Sequence, residues 1–413
     1  MLHCKELKTG LIGKKLGHSF SPQIHSFLAD YEYKLYEMEE NEVGDFLFSC
    51  GLDALNVTIP YKKTVIPYLK EISETAKRIG SVNTIVRRNG ELYGYNTDYY
   101  GFSYMVSLSG IKIKEKKVLV LGSGGASLTV KAVLNDLGAG EIITVSRSGE
   151  DNYENISRHR DADVIVNTTP VGMYPNNGVS PVDLSLFDAL SGVLDLIYNP
   201  SVTKLLYDAK ALGIPCINGL SMLSSQAKRA AELFTGREIT EDPTPAIVKS
   251  IEGQLKNIVL IGMPGCGKST AGKLLSEKLS RPFIDTDEII IRNSEMPIPE
   301  IFSLYGEDEF RKREHEAAKE AGKVSGAVIA TGGGIITREE NYYPLHQNSF
   351  IVWLQRDTSL LPVDGRPVSQ NNDINELYKK RAPLYEKFAD AVVKVSENAE
   401  ETTEEILKAI RRM

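Results

Sequence analysis

Six histidines and four cysteines in 413 residues leave few soft metal ligands, and neither type is clustered. Cys4, Cys50, Cys216 and Cys266 stand too far apart for zinc-finger spacing or a disulfide framework, which points to a reducing compartment. The cytoplasm is the expected location. No apolar run approaches the roughly 18 residues of a membrane span. Met1-Leu2-His3-Cys4-Lys5-Glu6-Leu7-Lys8 lacks the apolar stretch and small-residue cleavage site of a secretory signal. There is no excess of positive charge either: 48 Lys and Arg against 55 Asp and Glu give −7, which argues against a general nucleic-acid binder. Internal repeats are absent. What remains is an ordinary globular composition in a chain too long for one hydrophobic core, so two or three domains are expected.

Two strand–glycine–helix units stand out, one in each half. Lys117-Val118-Leu119-Val120-Leu121 runs into Gly122-Ser123-Gly124-Gly125-Ala126 and a helical pattern. Lys256-Asn257-Ile258-Val259-Leu260-Ile261 runs into Gly262-Met263-Pro264-Gly265-Cys266-Gly267-Lys268-Ser269-Thr270, where Ala271, Leu274, Leu275 and Leu279 then mark one helical face. Short β-rich apolar runs bounded by glycine turns read as buried parallel strands, and their alternation with helical segments predicts an α/β fold. Glu241-Asp242-Pro243-Thr244-Pro245 is turn-rich, and the boundary between the halves is expected near 250–256.

The second glycine loop satisfies G-x-x-x-x-G-K-[ST]. Such a loop turns successive backbone N–H groups toward phosphate oxygens, Lys268 reaches the outer phosphates, and the Ser269 hydroxyl binds Mg²⁺. Phe283-Ile284-Asp285-Thr286-Asp287 ends a second strand in two carboxylates. Asp285 is suited to the metal's water shell and Asp287 to a substrate hydroxyl, as base or orienter. Three glycines, Gly332, Gly333 and Gly334, follow a third strand and permit close approach of a ligand to the backbone.

Together with Phe310-Arg311-Lys312-Arg313-Glu314, Gly365-Arg366-Pro367 and Arg381-Ala382-Pro383-Leu384-Tyr385, these elements resemble shikimate kinase over 256–413. The resemblance implies ATP and Mg²⁺ as cofactors. It places Asp287 and Glu314 near the substrate, Arg311 and Arg381 on its carboxylate, and Gly333 and Gly334 as backbone donors. Gly262, Gly265, Cys266, Gly267, Lys268, Ser269 and Thr270 would hold the nucleotide, and Arg366 would be the lid arginine that closes on ATP. The chain departs from the family in a shortened lid that lacks a second arginine before the R-P pair; Arg356 is the nearest substitute.

In the front half, Gly122, Gly124 and Gly125 form a nucleotide-type turn without the third glycine of the dinucleotide fingerprint, since Ser127 stands nearby. The next strand ends in Ser146-Arg147-Ser148, where a cationic side chain suits a 2′-phosphate and predicts NADP(H). Polar clusters recur: Gly17-His18-Ser19-Phe20-Ser21-Pro22, Asn56-Val57-Thr58-Ile59-Pro60-Tyr61-Lys62, Ser81-Val82-Asn83-Thr84 and Asn96-Thr97-Asp98. With Asn167-Thr168-Thr169-Pro170, Asp195-Leu196-Ile197-Tyr198-Asn199-Pro200 and Asn218-Gly219-Leu220-Ser221, as well as Gln226, this ordered set resembles shikimate dehydrogenase across nearly all of 9–250. The resemblance gives Ser19 and Ser21 to the substrate carboxylate, Thr58, Asn83, Asp98 and Gln226 to its hydroxyls, and Tyr198 to the substrate. It makes Lys62 and Asp98 the catalytic pair, and Gly122, Gly124, Gly125, Ala126, Ser146 and Arg147 the cofactor site. Departures at Lys15, Ser26 and Ser146 read as loop tolerances rather than losses, since Ser19, Ser21, Lys62, Asp98 and Arg147 all remain.

The expected organisation is a substrate-binding lobe of 1–98 completed by 219–250, a Rossmann lobe of 99–218, a linker at 251–255 and a P-loop parallel-sheet kinase domain of 256–413. The expected function is reduction of 3-dehydroshikimate followed by phosphorylation of shikimate. The partners are small molecules, with no nucleic acid and no membrane. Quinate as the front half's substrate, and a regulatory rear half, are the alternatives.

Overall fold

The computed structural model describes residues 4–17, 19–361 and 373–412. Among the described residues, no helix is long and apolar enough to cross a membrane. The chain divides into two compact units. One takes in the chain through Val171 together with Ser180–Tyr198 and Asp208–Ile251; the other comprises Gly172–Val179, Asn199–Tyr207 and the chain from Glu252 onward. Residues 251–255, expected as a linker, form the last turn of the helix Thr244–Leu255.

The front unit holds two sheets. In the first, the strands run in the order Glu32–Glu37, Lys8–Gly13, Ala54–Val57, Thr84–Arg88, Glu91–Tyr95 and Glu71–Ile72. The first three are parallel, and Thr84–Arg88 is antiparallel to both Ala54–Val57 and Glu91–Tyr95. The register pairs Leu11 with Asn56, Asn56 with Thr84, and Thr84 with Tyr95. This register brings the four polar clusters to one edge. The segments that follow Gly13, Val57 and Tyr95, and the one that precedes Thr84, all lie there. Beneath it the alternate strand residues Ile12, Leu55, Val57, Ile85 and Leu92 close an apolar core with Tyr61 and Val65.

The second sheet, all parallel, runs Cys216–Ile217, Gly192–Asp195, Val164–Asn167, Lys117–Leu121 and Glu141–Val145. Val118, Leu119, Val120 and Leu121 are fully buried, as a strand covered on both faces requires. The helices Asp98–Ser109 and Leu220–Thr235 pack on each other beside the two sheets. They touch at Gly101, where a Cβ would lie 2.7 Å from the Met222 carbonyl oxygen and 2.9 Å from Gln226 Cβ.

The rear unit is built on a third parallel sheet ordered Phe283–Asp285, Val328–Ala330, Asn257–Ile261, Ser349–Gln355 and Ala391–Lys394. Asn257–Ile261 is central and wholly buried. Its one polar side chain is satisfied: Asn257 Nδ2 donates to the Val324 carbonyl at 2.6 Å and Oδ1 accepts from the Ala327 N–H at 2.9 Å. Because the strands are parallel, Gly262, Asp285, Thr331-Gly332 and Arg356 all emerge at the carboxyl edge, where ligands bind in open α/β sheets.

Candidate active sites

In the front unit, Lys62 Nζ donates to Asp98 Oδ2 at 2.6 Å, with the two side chains 27% and 17% exposed. Lys62 comes from the turn after Ala54–Val57, and Asp98 is the first residue of the helix Asp98–Ser109. Thr97, 1% exposed, ties the neighbouring groups together. Its N–H donates to Asn83 Oδ1 (2.7 Å), and its Oγ1 accepts from Asn83 Nδ2 (3.0 Å) and donates to Gln226 Oε1 (3.2 Å). Asn83 and Gln226 are therefore joined through Thr97, which in the sequence is only one member of a polar cluster. Ser19 Oγ lies 3.1 Å from Ser21 Oγ and accepts the Ser21 N–H at 3.2 Å. Thr58 sits over the end of the strand Lys8–Gly13, its N–H donating to the Ile12 carbonyl. Tyr198 packs its ring edge-on against Phe20, and burial pushes its hydroxyl pKa up.

Asn56, on the strand Ala54–Val57, is held from behind. Tyr33 donates its hydroxyl to Asn56 Oδ1 at 2.8 Å, and its ring stacks on His25 at 4.0 Å. Burial holds the Tyr33 hydroxyl well above the usual phenol range, so it remains a donor. Asn56 Nδ2 in turn donates to Thr84 Oγ1 (3.2 Å). Only the strand register reveals this, because the residues lie 23 to 28 positions apart.

The nucleotide turn of the second sheet fits a dinucleotide. Gly122 has φ 102° and approaches Thr168 so closely that a Cβ would lie 2.9 Å from its hydroxyl oxygen. Gly124 caps the helix Gly125–Asp136, and Cβ atoms at Gly124 or Gly125 would meet nothing, so the helix N-terminus is open to a pyrophosphate. Ala126 is exposed beside them. Ser127 occupies the helix–strand contact fully buried, its hydroxyl turned back onto the Gly124 carbonyl at 2.6 Å. Ser146 donates its N–H to the Asp151 carbonyl, which turns the chain and leaves Arg147 exposed. Among the described residues, Arg147 has no ion-pair partner.

The rear site surrounds a cavity of about 490 Å³ lined by the phosphate loop, both carboxylates after Phe283–Ile284, Arg311, Glu314, the glycine triplet, Arg356 and Arg381. Gly262, Gly265 and Gly267 have φ of 147°, 80° and 100°, a path that L side chains resist. Lys268 is 7% exposed, and its ammonium donates to the Gly262 (2.9 Å) and Met263 (3.0 Å) carbonyls, positioned over the glycine-rich loop. Cys266 is buried beneath the loop with its N–H on the Met263 carbonyl; Ser269 and Thr270 open the next helix on its exposed side. Ser269 Oγ donates to Asp285 Oδ2 at 2.7 Å, so a hydroxyl and a carboxylate suited to a hydrated Mg²⁺ already converge. Asp285 also caps the helix Thr286–Ser294, accepting the Asp287 N–H at 3.0 Å.

Asp287 Oδ1 and Glu314 Oε1 are buried without hydrogen-bond partners. Both crowd Gly332, where a Cβ would stand 2.9 Å from the first and 2.7 Å from the second. Burial, and then the neighbouring Asp285 charge, pushes the Asp287 carboxyl up to about 6, while Lys268 pulls the other way. Burial likewise raises Glu314 despite the adjoining Arg311 guanidinium. Arg381 Nη1 donates to the Gly333 carbonyl at 3.3 Å, and the Tyr385 hydroxyl donates to the same oxygen at 2.5 Å. Gly333 thus fixes Arg381 through its acceptor, while Arg311 lies against Gly334 so closely that any Cβ would collide with the guanidinium. Arg366 lies outside the described residues, as does His18.

These sites define an α/β oxidoreductase of the pyridine-nucleotide type joined to a P-loop phosphotransferase. Comparison with known proteins agrees in both halves. The family model for the shikimate dehydrogenase substrate-binding domain matches residues 11–85, and that for shikimate kinase matches 264–411. The NADP(+) shikimate dehydrogenase of Clostridium beijerinckii is 38% identical over 267 residues, covering 60% of this chain and 98% of the relative. A chorismate mutase/shikimate 5-dehydrogenase fusion from Clostridium acetobutylicum is 39% identical with a TM-score of 0.57, covering 60% of this chain and 97% of that one. The Thermus thermophilus shikimate 5-dehydrogenase, solved with NADP(H) and shikimate, is 30% identical with a TM-score of 0.54 over 59% of this chain and 99% of that one. The chain belongs to the shikimate dehydrogenase family and carries a shikimate kinase domain behind it, which makes it a bifunctional enzyme of the shikimate pathway.

Proposed function

We propose that the front site reduces 3-dehydroshikimate to shikimate and that the rear site phosphorylates shikimate on its 3-hydroxyl. The observation that carries this reading is the Lys62–Asp98 pair at 2.6 Å, set among hydroxyl and amide groups that suit a polyhydroxylated ring. NADPH, when bound, supplies the hydride, and Mg-ATP supplies the phosphoryl group. Lys62 faces the negative charge that builds on the ring oxygen during reduction and gives it a proton; Asp98 keeps the ammonium aimed. Ser19 and Ser21 hold the carboxylate, with Tyr198 closing the pocket, and Thr58, Asn83 and Gln226 sort the ring hydroxyls. In the rear site Arg311 and Arg381 hold the carboxylate by planar, charge-assisted contacts. Asp287 accepts the proton of the attacking hydroxyl, Lys268 stabilises the transferring charge, and Ser269 and Asp285 hold the metal and its water.

A single assay tests the pair of activities. The purified chain, given dehydroshikimate, NADPH and Mg-ATP, is expected to form shikimate 3-phosphate with one ADP for each NADPH oxidised. Accumulation of unphosphorylated shikimate would rule out the rear activity, and a faster rate with quinate and NADP⁺ than with shikimate would reassign the front one.

Two smaller effects follow. Arg147→Ala removes a charge-assisted contact to the 2′-phosphate, and the preference for NADPH over NADH should fall by about 10- to 100-fold. Specificity constants for the two coenzymes check this, and an unchanged ratio would refute the assignment. Arg356 lines the kinase cavity and, among the described residues, has no ion-pair partner, which supports a role toward nucleotide phosphate. Arg356→Ala should raise the KM for ATP by about 10-fold with little change for shikimate; a selective effect on shikimate would assign it to the acid instead.

A further inference from the structure

The Arg311 guanidinium, only 7% exposed, is already paired on two sides. Nη1 donates to Glu314 Oε2 at 2.7 Å, while Nε and Nη2 both donate to Glu307 Oε1, at 3.2 and 2.8 Å. The two carboxylates differ. Glu314 is 1% exposed and fixed, whereas Glu307 is 55% exposed and stands one residue after Gly306, whose φ of 77° and ψ of 178° interrupt the helix Ile298–Lys323. Glu307 therefore starts a fresh helical segment. Its charge is stabilised there by the unpaired N–H groups of the first turn whether or not it touches Arg311.

The Nε/Nη2 edge is the planar fork by which an arginine takes a carboxylate in two parallel bonds. We propose that Glu307 is an internal stand-in for the substrate's carboxylate: it occupies this fork in the free enzyme and is exchanged for the incoming acid. This rests on the reading that Arg311 holds that carboxylate. The consequence is a specificity determinant. Glu307 keeps the buried arginine neutralised while the site waits, and it lowers the affinity for the acid by the strength of the contact that must be surrendered. A neutral ring compound has nothing to exchange, so Glu307 narrows the gap between acid and neutral analogue.

The test uses the full chain, wild type and Glu307→Gln, with shikimate and its neutral carboxamide as ligands. Dissociation constants come from the fluorescence of Trp353, the single tryptophan, which stacks on Tyr385 beneath the rear site at 5.6 Å. Shikimate should bind the variant about fivefold more tightly, as expected for surrender of a solvent-edged ion pair. The carboxamide should be unaffected and the kinase kcat little changed, so that the acid-to-amide ratio widens. Glu307→Ala should move the ratio the same way, which excludes a glutamine amide re-occupying the fork. A purely structural role at the helix start would shift both ligands together. A ratio that stays constant or narrows in both variants overturns the exchange. Equal binding of acid and amide by both variants, in which no carboxylate competes for the fork, overturns the Arg311 reading itself; a preference for the acid that is the same in wild type and variants overturns the exchange alone.

Discussion

Lys62→Ala is expected to cut the dehydrogenase kcat by about a thousandfold while leaving the kinase rate unchanged. The reason is local. The ammonium is the cation 2.6 Å from Asp98, and in the proposed reduction it supplies both the proton and the stabilising charge for the nascent alkoxide. Asp98 without it would be a lone carboxylate beside developing negative charge, which raises the barrier further. Coenzyme and substrate KM values should move little, because Ser19, Ser21 and the nucleotide turn are untouched. Stopped-flow measurement of NADPH oxidation, run beside an ADP-release assay on the same preparation, separates the two activities. A parallel loss of kinase rate would show coupling that the assigned roles do not contain.

The second large effect is at Asp287. Its carboxyl is raised to about 6, and the role assigned to it requires the ionised form. Kinase kcat/KM should therefore fall about tenfold per unit as pH drops below that value, and Asp287→Asn should lower kcat by about a thousandfold and abolish this acid limb. Stability should move the opposite way. The folded-state pKa lies above the ordinary 3.8, so between 3.8 and about 6 the folded chain holds a proton that the unfolded chain has released. Stability thus declines with rising pH through that window, and above it the ionised, buried carboxylate costs about 3 kcal/mol. Asp287→Asn removes that cost. Unfolding of the rear unit at neutral pH, followed by Trp353 fluorescence, should come at higher temperature in the variant, and the difference should shrink toward pH 4. A variant less stable than the wild type at neutral pH would contradict the raised pKa.

The parts of these sites that were legible in the sequence are those in which chemistry and backbone geometry occupy adjacent positions. Gly262 to Ser269 must be glycine-rich to turn N–H groups outward, and Gly122 to Gly125 likewise, so both loops could be read without a fold. Arg147 could be read because it ends a strand at a fixed distance from the first turn. The other contributors depend on register. Thr97 links Asn83 to Gln226 across 129 positions, and Tyr33 reaches Asn56 only because Lys8–Gly13 lies between their strands. Gly332 read as one of three permissive glycines, and the structure makes it the position against which two unpartnered carboxylates rest. Glu307 belongs to no motif the sequence displays; its meaning comes from the break at Gly306, which helical periodicity does not announce. Residues 172–179 and 199–207 likewise group with the rear unit although the chain order sets them within the front one.

Where the helices Asp98–Ser109 and Leu220–Thr235 cross, the missing side chain of residue 101 acts as a spacer of zero thickness. Asp98 begins the first helix less than one turn away, and Gln226 rides on the second at the contact itself. The width of the front cleft is thus calibrated by a single hydrogen atom. Any carbon grafted there would wedge the two rods apart and pull the Gln226 amide away from the Lys62–Asp98 pair, without altering either of them.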